Sequence, residues 1–361
     1  MTEFAGWDMP VSYPSGALEE HRLVRRSAGI FDVSHMGRFR VAGPGALDYL
    51  DRLVTASLAR VPEHHSTYAL LCRDDGRVLD DLFVYHLPAS WLVVANAANR
   101  EKDFGWLEQH RASSAHTAAG GVDLTDVSGD TAMIAFQGPA ALRVVDRLTD
   151  GAASRIPRFG SAELVLSGLP HRDAGGSVLV GRTGYTGEDG VELFMTSRMA
   201  QAVWELLLSE AERAGVEAGP IGLAARDSLR FEPGFPLYGH ELTEDVTPLE
   251  ARLVWACDLD TEFIGRDAIV RQKDEGVARR LATVRMTERG VPREGFRVLS
   301  EGQDVGHVAS GMYAPTLDVC CANVFVPPAL AKVGTEVHIE IRGRARAAVV
   351  VKRPLYDPAY R

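Results

Sequence analysis

The sequence is poor in cysteine: Cys72, Cys257, Cys320 and Cys321 are the four among 361 residues. None falls in a CxxC or Cys/His spacing of the kind that holds zinc, so no metal site is expected. Neighbouring Cys320 and Cys321 can scarcely bridge each other within ordinary disulfide geometry. Reduced, buried thiols in a cytoplasmic protein are the expectation. A surplus of cations is also missing, since 39 Lys and Arg stand against 49 Asp and Glu for a formal charge of −10. That balance argues against general nucleic-acid binding, which needs Lys and Arg to neutralise phosphates, but leaves room for a local basic patch toward an acidic partner. No apolar run is long enough to cross a bilayer. Met1-Thr2-Glu3-Phe4 carries neither the basic nor the apolar part of a secretory signal. Low-complexity tracts and short-period repeats are absent.

What is present is ordinary globular material, 46% hydrophobic and 24% charged. Its length exceeds what one core usually supports, so two or three domains are expected. Gly16 to Arg26 has helical spacing, with Leu18, Leu23 and Val24 on one side. Short strands follow around the Ser34-His35-Met36-Gly37 turn, then a helix from Gly45 to Leu58 with Leu47, Leu50, Leu53 and Val54 on its apolar face. From Thr67 to Ala95 the pattern is an antiparallel meander, turning at Asp75-Gly76. A helix is expected over Asn99 to His110. This strand-strand-strand-helix order points to α+β rather than a parallel doubly wound sheet. A second cycle places strands at Thr131 to Phe136, Ser177 to Val180 and Val191 to Phe194, and helices at Pro139 to Leu148, Met199 to Ala214 and Pro220 to Phe231. The charged stretch Arg271 to Gly276 is the best boundary candidate. Beyond it, short strands with Gly and Pro turns suit a small β-barrel.

Four features could carry chemistry. Asp80 and Asp81 lie side by side in an apolar strand, where successive side chains face opposite ways. An inward carboxylate there needs a partner or a ligand, although a salt bridge near the turn would serve as well. The stretch Arg182-Thr183-Gly184-Tyr185-Thr186-Gly187-Glu188-Asp189-Gly190-Val191-Glu192 is a glycine-rich loop that allows close backbone approach. It lacks the GxxxxGK[ST] and GxGxxG spacings of phosphate loops. Tyr185 offers a flat surface, and Glu192 a carboxylate able to take two parallel hydrogen bonds from an amidine-like edge; a structural hairpin is equally consistent with the glycines. Arg226 and Arg230 lie one helical turn apart, and could form an exposed charged face. Ser310 to Leu317 is rich in turn residues.

Taken in order, these segments resemble the aminomethyltransferase family (the T protein of glycine cleavage). Phe4-Ala5-Gly6-Trp7-Asp8-Met9-Pro10 resembles the family's FAGW-[DE]-MP opening, and Gly29 to Gly37 its FDVSHMG stretch. Further matches are Asp80-Asp81, Asn96-Ala97-Ala98-Asn99, Phe136-Gln137-Gly138-Pro139, the Arg182 to Gly190 loop, the Gly222 to Asp227 helix, Leu237-Tyr238-Gly239 and Ser310 to Leu317. The likeness runs from residue 4 to about Tyr356.

The resemblance implies a three-domain cloverleaf of mostly antiparallel sheets with helices, a C-terminal β-barrel and a central folate channel. It divides the chain into 1–277, a folate-binding catalytic region of two interleaved α+β subdomains (one about 46–124), and 278–361, the barrel, expected to close one side of the channel. It implies tetrahydrofolate as cofactor and Asp81 as the carboxylate beside the reacting nitrogens. Tyr68, Asn96, Tyr185, Glu192 and Arg226 match cofactor-binding positions. The implied reaction moves a one-carbon unit from an aminomethyl-lipoyl carrier (the H protein) to tetrahydrofolate, releasing ammonia. The same scaffold also serves folate-dependent demethylases and methyltransferases with small-molecule donors. Two departures bear on carrier recognition rather than on folate: only Met1-Thr2-Glu3 precede the opening motif, and Thr55-Ala56 stands where the family has Thr-Asn.

Overall fold

The computed structural model describes residues 1–114, 121–169 and 177–357; residues 358–361 of the expected barrel region fall outside them. Two sheets and a barrel make up the architecture. The first sheet has six strands in the order Ser161–Val165, Ser177–Gly181, Gly190–Thr196, Thr131–Gln137, Ala28–Asp32 and Ala218–Pro220. All its neighbours are antiparallel except the last pair, in which Ala218–Pro220 runs parallel to Ala28–Asp32. The second sheet is wholly antiparallel, in the order Ser66–Cys72, Val78–Leu87, Ser90–Ala95, Gly37–Ala42 and Asp123–Asp126. It is inserted whole between the fifth and fourth strands of the first. A closed six-stranded barrel follows, from Arg280–Met286 to Arg344–Val351. The α+β class and the barrel expected from the sequence are both present.

Strand alternation explains how the layers stack. In Val78–Leu87, the buried Leu82 and Val84 pack toward the helices Ala46–Leu53 and Arg100–Ser114, against Leu50, Leu53 and Leu107. Tyr85, one residue on, turns the other way and joins Leu92 and Val94 against Phe31, Met133, Ala135 and Phe194 of the first sheet. Helices Ala141–Leu148 and Ala200–Arg213 cover the outer face of that first sheet through Val144, Val145, Leu148, Val203 and Leu207. The two sheets therefore face each other across a shared apolar layer, and the functional residues of both point into the gap between them.

Several local expectations are corrected. The helix Ala17–Arg26 buries Glu20, His21 and Val24 and leaves Leu18 exposed. Glu20 accepts the backbone N–H groups of Tyr13 and Gly222, so a charged residue is inward because it ties loops together. The helix expected to reach Leu58 stops at Leu53, and Pro220 closes a short strand before the helix Leu223–Phe231 begins. Arg271 to Gly276 is the end of a helix, Arg266–Glu275, started by Gly265 at φ 91° and stopped by Gly276 at φ 88°. Only Ile269 of that helix is buried, so the charged stretch marks a boundary in the sequence without announcing a helix. Ser310 to Ala314 belong to the long barrel strand Gln303–Ala314 rather than to a turn.

Candidate active site

Between the two sheets lies a cavity of about 240 Å³. Its walls are apolar where the sheets supply them, with Phe31, Val33, Met133 and Ala135 on one side and Leu82, Phe83 and Val94 on the other. The six residues singled out from the sequence, Tyr68, Asp81, Asn96, Tyr185, Glu192 and Arg226, all line it. No barrel residue does, among the described residues, so the expectation that the barrel closes one side is corrected. The barrel instead holds the neighbouring segment from behind, through Arg230 to Ser310 at 3.0 Å and Asn323 to Glu241 at 2.8 Å.

At one end of the cavity stands Asp81. Register brings its partners: Phe83 pairs with Val94, so two residues further along Asn96 comes opposite Asp81, just past the end of its strand. The Asn96 side-chain amide donates to Asp81 Oδ1 at 2.7 Å and to Asp80 Oδ1 at 2.9 Å. Both amide hydrogens are thus engaged by the carboxylate pair, and only the Asn96 carbonyl oxygen is left to meet a ligand. Tyr68, on the adjacent strand, donates to Asp81 Oδ2 at 3.1 Å. Burial, then the neighbouring Asp80 charge, push the Asp81 carboxyl up to about 7, against the pull of the Asn96 and Tyr68 hydrogen bonds. A group that changes charge near neutrality, fixed by two donors, is suited to take a proton or to face a developing positive charge. Asp80 faces the opposite layer, is fully buried, and does not line the cavity.

At the other end the glycine-rich loop is folded onto the first sheet by Gln137. Its amide donates to the carbonyls of Thr183 and Val191 at 3.0 and 3.1 Å and accepts from Thr186 at 3.1 Å. A Cβ on Gly184 would stand 1.8 Å from the Gln137 side-chain oxygen, so the loop can lie this close only without a side chain there. The hydroxyls of Tyr85 and Thr183 converge on Glu192 Oε2 at 3.1 and 2.5 Å. Oε1 has no donor among the described residues. Burial raises the Glu192 carboxyl above its usual range, opposed by Thr183, Tyr85 and Arg226. Tyr185 donates to the carbonyl of Pro236 and stacks on Phe235 with ring centres 5.8 Å apart. Arg226 lies over the Tyr185 ring at 4.9 Å. Its guanidinium has no hydrogen-bond or ion-pair partner among the described residues. A half-buried cation without an anion, beside a carboxylate with one oxygen unused, is what remains of a site that expects a polar ligand.

Residues 1–261 match the model of the GCVT N-terminal domain, and residues 279–357 that of the glycine cleavage T-protein C-terminal barrel domain. The chain belongs to the glycine cleavage T-protein family. An aminomethyltransferase of Geobacillus kaustophilus is 44% identical to it, over 99% of this chain and 94% of its own length. One of Symbiobacterium thermophilum is 43% identical, over 100% and 94%. The crystal structure of glycine cleavage system aminomethyltransferase T from Bartonella henselae superposes with a TM-score of 0.87 at 32% identity, covering 99% of this chain and 94% of that one. As a T-protein family member the chain is a one-carbon transferase of the glycine cleavage type. No helix among its described residues is long and apolar enough to cross a membrane.

Sequence reasoning missed four residues of this T-protein site. Tyr85 and Thr183 share the Glu192 oxygen, and Gln137 carries the loop. Trp255, 69% exposed, lines the cavity with its ring stacked on Tyr68 at 5.5 Å. Tyr85 was detectable in principle, because an inward tyrosine in an apolar strand must find a partner for its hydroxyl. Trp255 sits in a short 3₁₀ turn, Val254–Ala256, and nothing local marks it.

Proposed function

We propose that the protein transfers the one-carbon unit of an aminomethyl-lipoyl carrier (the H protein) to tetrahydrofolate, releasing ammonia and the reduced carrier. The observation that carries this reading is the incomplete polar set at the Arg226 end of an otherwise apolar cavity, with Asp81 at the other end. The residues present fit a reduced pterin. Glu192 Oε1 can accept from an amino and ring N–H edge, Tyr185 offers a stacking face, and Arg226 a donor fork. When bound, tetrahydrofolate supplies the nitrogen that receives the carbon.

The remaining chemistry belongs to the chain. Tyr68 and Asn96 fix both oxygens of Asp81, so a negative charge stands ready where positive charge develops and little reorganisation is needed. The apolar walls thin out water around it and strengthen that interaction. With its proton affinity poised near neutrality, Asp81 can also collect the proton that the nitrogen loses. Residues 1–277 would form this folate-binding region and 278–361 the supporting barrel. In favour of that division, the cavity residues run from Phe31 to Trp255, and the first barrel strand starts at Arg280. A cytoplasmic setting belongs to the same reading, supported by four unbridged cysteines.

Incubation with tetrahydrofolate and an aminomethylated lipoyl carrier protein should give methylene-tetrahydrofolate and ammonia in equal amounts. Absence of both with the carrier, together with transfer from a small methylated amine, would replace the carrier by a small-molecule donor.

A further inference from the structure

Behind Asp81, on the helix side of its strand, lies a second pair of carboxyl groups that the transfer reaction does not use directly. Asp80 is fully buried and accepts three hydrogen bonds: from the Asn96 backbone N–H at 3.0 Å, the Asn96 amide at 2.9 Å and the Asn99 amide at 2.6 Å. A carboxylate has about four acceptor positions, so one remains. Asp103, in the helix Arg100–Ser114, is also fully buried, and neither of its oxygens meets an N–H or O–H donor among the described residues. What its carboxyl meets is that of Asp80. Two carboxylates have only acceptors to offer each other, so this contact is a hydrogen bond only if one of them carries a proton. Asp80 already takes three donors and is the acceptor of the pair; Asp103 takes none and is the donor.

We propose that Asp103 is an un-ionised carboxylic acid donating its proton to Asp80, and that the single negative charge of this pair positions Asp81 and sets how readily it gains a proton. The positioning runs through Asn96, whose amide bridges Asp80 and Asp81. The charge acts directly, since the Asp80 anion disfavours a second negative charge on Asp81. Burial, then Asp80, hold the Asp103 carboxyl well above the usual carboxylate range. The other groups facing the pair are Lys102, Tyr238, Tyr68 and Asp81 itself. Lys102 does not neutralise it, because its ammonium is bound to the Leu79 carbonyl at 2.7 Å, the Tyr238 hydroxyl at 2.9 Å and Glu244 at 3.3 Å. Tyr68, Tyr185 and Asp103 complete the titratable groups around Asp81.

The inference rests on Asp81 being the reacting carboxylate, and its test separates the two. In protein labelled with ¹³C at aspartate carboxyls, one buried carboxyl should stay un-ionised at pH 8 without folate or donor. The signal should persist in Asp81→Asn and vanish in Asp103→Asn, whose amide keeps a donor toward Asp80. In Asp80→Asn the acid limb of the kcat/KM profile should move down by about one pH unit, because an anion beside Asp81 is gone; a merely structural role would lower activity without moving the limb. If every aspartate is ionised at pH 8, the shared proton does not exist, and this result needs no variant that must fold. A held proton with an unmoved acid limb in Asp80→Asn would equally overturn the proposal. Near-normal turnover in Asp81→Asn would instead remove Asp81 from the chemistry, whatever the labelled carboxyls report.

Discussion

Arg226 and Arg230 stand one turn apart on the same helix, Leu223–Phe231, in opposite circumstances. Arg230, 1% exposed, bonds to Asp227 and Glu241 at 2.8 Å, Ser310 at 3.0 Å and the Phe235 carbonyl at 3.2 Å. Glu241 in turn accepts from Asn323 and the Leu237 backbone N–H. Nearby, Arg25 joins Glu188 at 3.0 Å and Glu232 at 2.9 Å, and Glu232 also holds Thr316 of the barrel region. In this seam each charge has its counter-charge. In the cavity Arg226 makes no ion pair or hydrogen bond and Glu192 Oε1 meets no donor among the described residues. The seam is complete in the protein alone and reads as structure; the cavity is incomplete and reads as a place for a ligand. A sequence shows two arginines, and only their surroundings tell the two kinds apart.

The largest effect should come from breaking the complete region. Glu241→Leu removes the buried anion of Arg230 and leaves it only the half-exposed Asp227, which should lower unfolding free energy by about 3–5 kcal/mol in chemical denaturation. A loss below about 1 kcal/mol would mean the seam is wetter than it looks. The seam should also weaken in acid. Burial raises the Glu241 carboxyl, but Arg230 and three hydrogen bonds more than offset it and hold it below its ordinary range. Its stabilisation is therefore full above that range and disappears as pH falls.

Asp81→Asn tests the incomplete region with the opposite sign. Turnover with the true donor should fall about a hundredfold to a thousandfold, with folate affinity much less changed. Because the folded protein favours protonated Asp81, ionising it is unfavourable. Stability attributable to this residue is present below the ordinary carboxylate range and is lost as pH rises through about 7. At pH 8 the inactive variant should therefore be the more stable one, by on the order of 1–3 kcal/mol after allowance for the partial exposure of Asp81. A thermal scan at pH 8 and pH 5 checks this; equal differences at both would remove the argument.

The smallest effect belongs to the pterin end. Glu192→Ala should weaken tetrahydrofolate binding by about 1–3 kcal/mol in calorimetry, while protein stability changes little. Unchanged affinity would show that the unused Oε1 is not a ligand contact, and the contrast with the seam would lose its meaning there.

The meander and the barrel were legible because alternation and turn residues act locally: Val78 to Tyr85, the Asp75-Gly76 turn and the Arg182 to Gly190 loop each announce themselves. The cavity residues were reached through motif order, since no local rule brings Tyr68, Glu192 and Arg226 together. Asn96 could be picked out as polar, but not as the bridge between two carboxylates, which follows from the register of Phe83 with Val94. Nothing in the sequence singles out Asp103, which stands on a helix among charged neighbours, and its burial depends on where the helix lands. The helix Arg266–Glu275 was missed for the converse reason, having almost nothing to bury.

The insertion of one sheet within another orders events during synthesis. Ala28–Asp32 emerges early, yet its partners Thr131–Gln137 and Ala218–Pro220 come about one hundred and one hundred and ninety residues later. At translation rates of about 5–20 residues per second, one edge of this strand waits roughly 5–20 s for its partner and the other roughly 10–40 s. The inserted sheet, bounded by Gly37 and Asp126, has all its strands in hand much sooner. The Asp81 wall of the cavity can thus form on the ribosome first and serve as the surface on which the late-arriving wall assembles. The backbone N–H groups of Leu355 and Tyr356, bound to the Glu232 carbonyl at 2.9 and 3.0 Å, add a later clasp to the seam that Glu232 shares with Arg25.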